Sequence, residues 1–559
     1  MSNLWHTIPF FPLLAAIALL LTGQRARAGI WLSCVPALAA ALAAPPAIEP
    51  AFLWPGATWG ADTVLQRGLL GGSAMLWLFA GVFSLAGPKE EDRSRLAFQL
   101  FWLISLSGNL LWLIAGDALS FYVGFSMMSL SAYGLIVHRR TIRVRQAGRL
   151  YLQIAVTGEM LLLTGLMLAW HESGGSFLFS VWREADFTAV TLLALIAGLA
   201  LKAGFWPLHV WMPQAYPSAP PAAGAVLSGA MTKAGIAGLW MLLPAESPLL
   251  QQWSIPLLWL GLINLFYGAL VGLVQRSAGE TLAFSSVSQM GFLMVITAMA
   301  WHAPELRPAL MVVVTLYIVH HGLAKGALFM ATGLLAGGQP AGALARGLIA
   351  AGIALPALAI GGLPFTTGAA VKTALKDQLP AAGLEAYTLA AQLGALASTL
   401  IMLRALWLLR KLAKEDRPRE RMSALHLIGW SVPACACLVL PWLWPPMRAA
   451  AFDSLALYKL GELAWPMAVA AGLAVMAWRL RWQPPGIRRS RNPALHLSLY
   501  LRRMLQRPPV PAPDPEEIPP QRTRRLERRW NHWWPRSTIN NSIWLLLIVL
   551  VAASLYMTF

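Results

Sequence analysis

Apolar segments long enough to cross a lipid bilayer follow one another along almost the whole chain. A transmembrane helix needs about 20 mainly apolar residues, and 57% of the 559 residues are hydrophobic whereas only 12% are charged. We therefore predict an all-α, polytopic membrane protein with about sixteen transmembrane helices. This composition excludes a soluble enzyme, a disordered scaffold and a secreted disulfide domain, and it excludes nucleic-acid binding despite a net charge of +19.

The predicted spans group into regions along the chain. The spans cover residues 4–22, 29–45, 64–87, 97–115, 118–137, 149–170, 188–214, 221–243, 252–274, 280–300, 309–335, 350–379, 383–410, 424–445, 457–478 and 542–558. The regions are N-terminal helices (1–96), a first five-helix repeat (97–244), a second (250–411), additional helices (412–480), a basic proline-rich segment (481–541) and a terminal helix (542–559). We expect the two repeats to be inverted relative to each other, because each contains a broken helix in the matching place.

The charges between the spans indicate an orientation. Lysine and arginine concentrate in the odd-numbered connections, which begin with Arg25 and Arg27 and end with the segment 479–541. Positive residues favour the cytoplasmic side, so we expect the N-terminus outside and segment 479–541 in the cytoplasm. Residues 494–506 of this segment can form a short lateral helix on the membrane surface, whereas the following proline-rich run must be extended. The segment could bind anionic lipid or lie along a neighbouring subunit.

Cofactor motifs are missing from the sequence. Cys34, Cys435 and Cys437 lie in apolar stretches without metal-ligand spacing, and no phosphate-binding loop or dinucleotide fingerprint occurs. We expect no cofactor and no metal in this chain, so any redox chemistry would belong to partner subunits.

Ionisable residues interrupt several of the predicted spans. These are Glu159, Lys202, Lys233, His320, His321, Lys325 and Lys372. A charge in the bilayer core costs a few kcal/mol, so such residues indicate a functional site. Pro207 breaks the helix that follows Lys202, and Gly362 and Pro364 break the helix before Lys372. A row of proton-exchanging side chains is the structure that a proton path requires, although single lysines could also extend to an interface or pair for packing.

Two further polar residues have simpler interpretations. We expect His209 to hydrogen-bond the broken helix near Pro207 rather than to titrate, and Asp117 to cap the N-terminus of the fifth span.

Several motifs together resemble one membrane protein family. They are Lys202–Pro213, Tyr216–Pro220, Leu227–Lys233, Phe284–Gly291, His321–Lys325 and Gly362–Phe365 with Lys372. They resemble the antiporter-like subunits shared by respiratory complex I, by hydrogenase-4 and formate hydrogenlyase complexes, and by Mrp-type sodium/proton antiporters. The resemblance covers residues 97–411 well and the ends less well.

The resemblance implies a fourteen-helix core in a bacterial inner membrane. Lys202 would be the central proton-carrying lysine, Lys233 would pass the proton on, and His321 and Lys325 would continue the path to Lys372. The chain would be the ion-translocating module of a redox-linked translocase of the NADH–quinone oxidoreductase type, with membrane partners and a soluble redox module. Alternatives are an Mrp-type sodium/proton exchange subunit, the membrane subunit of an inorganic-carbon-accumulating complex with a zinc-bearing partner, and a non-pumping structural relative.

The family's distal complex I subunit has a long lateral helix, and the proline-rich run departs from that pattern because such a helix cannot pass through it. The sequence departs from the family pattern at two further positions. The family pairs its central lysine with a glutamate on the fifth helix, and that position is Ser126 here. We expect Glu159, which lies mid-span on the next helix, to replace it; a packing role for Glu159 and a loss of pumping are the alternatives. Glu280 lies where relatives tend to carry a basic residue.

Overall fold

Helices make up nearly all the regular secondary structure. The computed structural model describes residues 4–50, 52–87, 92–340, 342–415 and 420–480. The α-helices are α1 (Leu4–Thr22), α2 (Gly29–Leu32), α3 (Val35–Ala43), α4 (Val64–Leu85), α5 (Asp92–Ile114), α6 (Ala118–Ile136), α7 (Ile142–Glu172), α8 (Phe179–Trp182), α9 (Ala189–Ala203), α10 (Met212–Ser218), α11 (Pro221–Val226), α12 (Lys233–Leu242), α13 (Pro248–Leu273), α14 (Ala278–His302), α15 (Arg307–Gly337), α16 (Ala343–Gly361), α17 (Thr367–Ala381), α18 (Thr388–Ala413), α19 (Ala424–Leu443), α20 (Pro445–Asp453) and α21 (Leu457–Arg479). The 3₁₀ turns are Gly23–Ala26, Leu208–Trp211, Pro304–Leu306 and Glu385–Tyr387, and Leu227–Met231 is a π-helical turn.

The all-α, polytopic architecture predicted from the sequence is confirmed. Within the described ranges, 13 helices are long and apolar enough to cross a membrane. Two shorter apolar helices, Gly29–Ala43 and Ala424–Leu440, lie where the second and fourteenth spans are predicted. The predicted lateral helix and the last span, 542–558, fall outside the described residues.

Two very short strands are the non-helical elements of the part that the structure describes. Strand β1 (Gly338–Gln339) follows α15, and strand β2 (Glu420–Arg421) precedes α19. They pair in parallel, with Gly338 opposite Glu420 and Gln339 opposite Arg421. This pairing ties the connection after α15 to the connection before α19.

Glycines allow α7 and α9 to pack with their backbones close together. A Cβ atom on Gly198 of α9 would lie 2.7 Å from the backbone nitrogen of Leu162 on α7, and a Cβ on Gly158 would lie 3.1 Å from the Cβ of Leu201. Small residues at such crossings are typical of helix pairs in membranes. The close packing brings the middle of α7, with Glu159, against the end of α9, with Lys202.

Two membrane helices are interrupted at the positions that the sequence predicts. Helix α9 ends at Ala203, the next residue Gly204 has a φ of 71° in the left-handed region, and the chain passes Pro207 before α10. Helix α16 ends at Gly361, the next residue Gly362 has a φ of 104°, and α17 begins after Pro364. Glycine adopts positive φ without the steric cost of a side chain. The predicted span 350–379 is therefore two helices that meet at a break, and the inverted-repeat relation of the two halves stays a prediction.

The π-helical turn between α11 and α12 packs tightly on α15. A Cβ on Gly229 would lie 2.5 Å from the carbonyl oxygen of Gly322. The apolar stretches of Pro221–Leu242, which contains α11 and α12, and of α14 are completely buried. The centre of the fold therefore consists of α11, α12, α14 and α15, and the buried ionisable residues lie around it.

Glu280, the acidic residue at an expected basic position, lies in the first turn of α14. The side chain of Ser277 caps this helix, and Arg143 of α7 lies 3.6 Å from the Glu280 carboxylate. A carboxylate near a helix N-terminus is stabilised by the helix dipole.

Candidate functional site

The seven ionisable side chains that interrupt the predicted spans are all buried in the described structure, and we call them the row: Glu159, Lys202, Lys233, His320, His321, Lys325 and Lys372. Lys372, the most exposed of them, is 7% exposed, and Lys325, His320 and His321 are 0% exposed. Burying such groups is costly unless each finds polar partners. The partners of each side chain therefore show how the row is assembled.

Lys202 lies in the last turn of α9, where the helix dipole favours a cation. Its ammonium donates hydrogen bonds to the Ser129 hydroxyl at 3.0 Å and to the Tyr151 hydroxyl at 3.4 Å. It also lies 5.5 Å from the centre of the Phe125 ring, a cation–π distance. A small cavity lined by Ser129, Tyr151, Gly158 and Lys202 adjoins the ammonium.

Glu159 is 3% exposed and lies on α7, opposite α6. Its carboxylate faces the hydroxyls of Ser126 and Ser129 and interacts with the Lys202 ammonium without a direct ion pair. The Glu159 Oε1 atom and the Ser126 hydroxyl have no hydrogen-bond partner in the chain. The structure thus brings Glu159, Ser126 and Lys202 together, and the replacement of the family glutamate by Glu159 stays a prediction.

Two tyrosines and a threonine fill the space between Lys202 and Lys233. The rings of Tyr151 and Tyr216 both contact the Trp211 ring, at centroid distances of 5.2 and 5.6 Å. The Tyr216 hydroxyl makes no hydrogen bond, although Tyr216 is only 1% exposed. The Thr232 hydroxyl donates to the carbonyl of Ser228 at 3.2 Å, and the Lys233 ammonium donates to the same carbonyl at 2.6 Å. Hydroxyl groups can both donate and accept, so these side chains connect the two lysines chemically.

The π-helical turn presents the Ser228 carbonyl to Lys233. In an α-helix that carbonyl would accept a backbone hydrogen bond from residue 232, whereas here the Thr232 N–H bonds the carbonyls of Leu227 and Ala230. The Ser228 hydroxyl also lies 2.9 Å from the Ser286 hydroxyl of α14. Such single π turns inside helices occur frequently at functional sites.

Helix α14 supplies a polar stripe to the centre of the row. The Lys325 ammonium donates hydrogen bonds to the Ser285 hydroxyl and the Leu282 carbonyl. Gln289, one turn further on, accepts a hydrogen bond from the Tyr317 hydroxyl and donates one to the Ser398 hydroxyl at 2.9 Å. This stripe connects α15 to α18 through buried polar groups.

The two adjacent histidines of α15 point in different directions. The His321 ring stacks on the Tyr317 ring, with centroids 6.1 Å apart, whereas the His320 ring lies beside α17. A Cβ on Gly368 of α17 would lie 3.2 Å from His320 Nε2, so the imidazole lies at the break between α16 and α17. Neither ring nitrogen of either histidine has a hydrogen-bond partner in the chain.

Lys372 binds the end of the broken helix. Its ammonium donates hydrogen bonds to the carbonyls of Ile360 at 3.0 Å and Gly361 at 2.7 Å. The last carbonyls of a helix have no partner inside the helix, and a cation there also interacts with the helix dipole. The break at Gly362 therefore creates the binding site for the ammonium.

His209 does not behave as the sequence suggested. Both of its ring nitrogens lack hydrogen-bond partners, and the ring lies 5.0 Å from Tyr267 and 6.0 Å from Phe284. The expectation that it bonds the broken helix is wrong. Asn264 of α13 has this role instead, because its side-chain oxygen accepts the backbone N–H of Trp206 at 2.8 Å.

Asp117 is the N-cap of α6, as predicted. Its carboxylate accepts hydrogen bonds from the backbone N–H of Ser120 at 2.8 Å and from the Ser120 hydroxyl at 2.6 Å. It also accepts the backbone N–H of Thr58 at 3.0 Å and the Trp54 indole N–H at 3.2 Å. Asp117 thus holds the connection before α4 against α6.

Several participants in the row are missed by sequence reasoning. Ser285, Ser286 and Gln289 share a polar stripe in an otherwise apolar span, a signal that the sequence contains. Tyr151 and Tyr216 carry no such signal, because tyrosine is common at membrane interfaces. Among the described residues, no group of side chains has the arrangement of a metal site.

The comparisons with known proteins agree on one family. Residues 115–376 match the family model described as NADH:quinone oxidoreductase/Mrp antiporter, TM. The chain is 33% identical over 279 residues to hydrogenase-4 component B of Escherichia coli, and this match covers 47% of this chain and 41% of the relative. It is 29% identical over 297 residues to NADH-quinone oxidoreductase subunit N of Desulforudis audaxviator, and this match covers 50% of this chain and 57% of the relative. The matches thus span about half the length of these relatives.

Two solved structures share the fold. One is a chain of the Mrp complex from Dietzia sp., with a TM-score of 0.67 and 22% identity; the match covers 83% of this chain and 100% of that chain. The other is the membrane-bound sulfane sulfur reductase, an archaeal respiratory membrane complex, with a TM-score of 0.67 and 16% identity, covering 83% and 99%.

Proposed function

We propose that this chain, an antiporter-like membrane subunit, translocates protons. Its residues 115–376 match the transmembrane region shared by NADH:quinone oxidoreductases and Mrp antiporters. The path runs from Glu159 and Lys202 through Lys233, His321 and Lys325, and past His320 to Lys372. The chain acts within a multisubunit complex in a bacterial inner membrane, where redox-active partners supply the energy. Its N-terminus lies outside and segment 479–541 in the cytoplasm.

The observation that carries this proposal is the burial of the row together with the polar partners of its lysines. Each of the four lysines donates a hydrogen bond to a serine hydroxyl or a backbone carbonyl. Lys202 also bonds the Tyr151 hydroxyl, and the Thr232 hydroxyl shares the Ser228 carbonyl with Lys233. Buried polar atoms without partners in the chain, such as those of Tyr216 and His321, are positions where water can bind. A wetted row of amines and imidazoles can pass a proton stepwise.

Proton flux in vesicles tests the proposal. The complex, purified with its co-purifying chains, is reconstituted in liposomes, and a potassium gradient with valinomycin imposes a membrane potential. A pH-sensitive dye inside the vesicles reports proton entry. We expect Lys325→Met to lower the flux more than about tenfold, because the central relay group is lost. Lys414→Met, at an exposed residue, is the matched control. Equal flux in wild type and Lys325→Met overturns the proposal.

Sodium/proton exchange is the second candidate, because the description of the matched family includes Mrp antiporters. An imposed sodium gradient distinguishes the two functions in the same vesicles. Proton movement driven by sodium without a membrane potential supports exchange, and its absence supports proton translocation alone.

A further inference from the structure

A small cavity lies beside Lys372. It lies between α17, α18 and α21 and is lined by Lys372, Lys376, Gln392, Glu462 and Pro466 among others. Lys372 and Lys376 are four residues apart, so they share one face of α17. The cavity therefore places a second pair of ionisable groups next to the last lysine of the row.

The exposure of these groups increases away from Lys372. Lys372 is 7% exposed as a residue, whereas the side chains of Lys376 and Glu462 are 16% and 46% exposed. Glu462 lies five residues after the start of α21, which is about 8 Å along a helix axis. Helix α17 ends at the same end of the bundle, since α21 pairs with it there through Lys376 and Glu462.

Glu462 brings two polar groups to a cavity whose lining is otherwise mainly apolar. Its carboxylate forms an ion pair with Lys376. Pro466 lies within α21, four residues after Glu462, and has no N–H to donate to the Glu462 carbonyl. That backbone oxygen is thus left without its usual helical partner beside the cavity. A carboxylate and a free carbonyl at a half-exposed position make a suitable exchange point with water.

We infer that Glu462 is the terminal proton-exchange group of the chain and that the cavity between α17, α18 and α21 is the outlet from Lys372. This inference rests on the proposed function. The Lys372 ammonium gives a proton through water to the Glu462 carboxylate, which leaves a neutral amine, and the carboxylic acid then releases the proton to bulk water. Lys376 is the counter-ion that positions the carboxylate.

A second ion-pair cluster on the same helices provides a matched control. Lys459 of α21 contacts Asp377 of α17 at 2.8 Å and also pairs with Asp453 of α20. Asp377→Asn removes one ion pair between α17 and α21, as Glu462→Gln does, but Asp377 is not part of the cavity lining. Losses caused only by weaker attachment of α21 would be equal in the two variants.

The test uses the reconstituted complex and the imposed potential. We expect Glu462→Gln to lower proton flux about tenfold or more, Glu462→Asp to restore most of it, and Asp377→Asn to leave it unchanged. Lys376→Met breaks the same ion pair but keeps the carboxylate, so it should lower flux less than Glu462→Gln does. Equal losses in Glu462→Gln, Lys376→Met and Asp377→Asn would show that the pair only holds the helices together.

Lys372→Ala separates the outlet from the function as a whole. If Lys372→Ala abolishes flux while Glu462→Gln does not, protons leave by another route and the proposed function stands. If Lys372→Ala also leaves flux unchanged, the proposed function itself fails. Assembly of each variant into the complex is checked by size-exclusion chromatography.

Discussion

The ammonium of Lys202 donates a hydrogen bond to the Ser129 hydroxyl, 3.0 Å away, and the Glu159 carboxylate faces the same hydroxyl from another helix. Ser129 thus separates a cation from an anion that do not touch. The interaction of the two charges depends on how α6, α7 and α9 are packed, because each helix supplies one of the three groups.

Glu159 should be required for transport, and a carboxylate introduced at position 126 of α6 should be able to replace it. We expect Glu159→Gln to lower proton flux about tenfold or more, because the acceptor beside Lys202 is lost. The double variant Ser126→Glu with Glu159→Gln should recover most of the flux, since both side chains face each other next to Lys202. Flux in vesicles is the measurement.

Glu172→Gln is the control for this experiment, because Glu172 is a second carboxylate of α7 with structural partners. It accepts hydrogen bonds from Thr188 and Thr191 at the start of α9. A Glu159→Gln variant that pumps like wild type would leave Glu159 as a packing residue.

Lys202 should tolerate no substitution, including a conservative one. We expect Lys202→Ala to abolish proton uptake, because the row loses the group beside Glu159. Lys202→Arg should fail as well, because a guanidinium does not release its proton in proteins. Dye-reported uptake measures both, and uptake by the arginine variant at the wild-type rate would mean that Lys202 supplies only a fixed charge.

Tyr216→Phe should slow transport without weakening the fold. The Tyr216 hydroxyl makes no hydrogen bond in the chain, so its removal costs none. We expect a severalfold lower flux with an unchanged thermal unfolding midpoint, because the interval between Lys202 and Lys233 loses a hydroxyl. Tyr387→Phe, in a 3₁₀ turn away from the row, is the control. Unchanged flux in Tyr216→Phe would place the connection elsewhere.

Asp117→Ala should lower stability. Its carboxylate caps α6 and binds the backbone of Thr58 and the indole of Trp54. Loss of an N-cap and of further buried hydrogen bonds costs about 2–3 kcal/mol. The thermal unfolding midpoint of Asp117→Ala in detergent should be lower than that of wild type. The midpoint of Asp117→Asn should fall by less, because one acceptor oxygen remains. An unchanged midpoint for the alanine variant would contradict this role.

The broad architecture and the ionisable members of the row could be predicted from the sequence. Apolar spans and the lysines and histidines inside them are visible along the chain, since few charges occur in such segments. The breaks near Pro207 and Gly362 were also visible, because proline and glycine have specific backbone effects.

The connections between those members could not be predicted. Which hydroxyl faces which amine depends on helix rotation and crossing, and a single sequence does not contain that information. Tyr216 resembles an interfacial aromatic residue until α10 is placed against α7 and α14. His209 shows the opposite error, because its polar side chain suggested a bonding role that Asn264 of a distant helix has.

The π-helical turn at Leu227–Met231 makes the row sensitive to the length of the chain at one point. Each residue of an α-helix advances the side-chain direction by about 100°. Deleting one residue from this turn and restoring regular α geometry would rotate every later side chain of α12, including Lys233, relative to the rest of the row. The alignment of two halves of a long relay thus depends on a single additional amino acid.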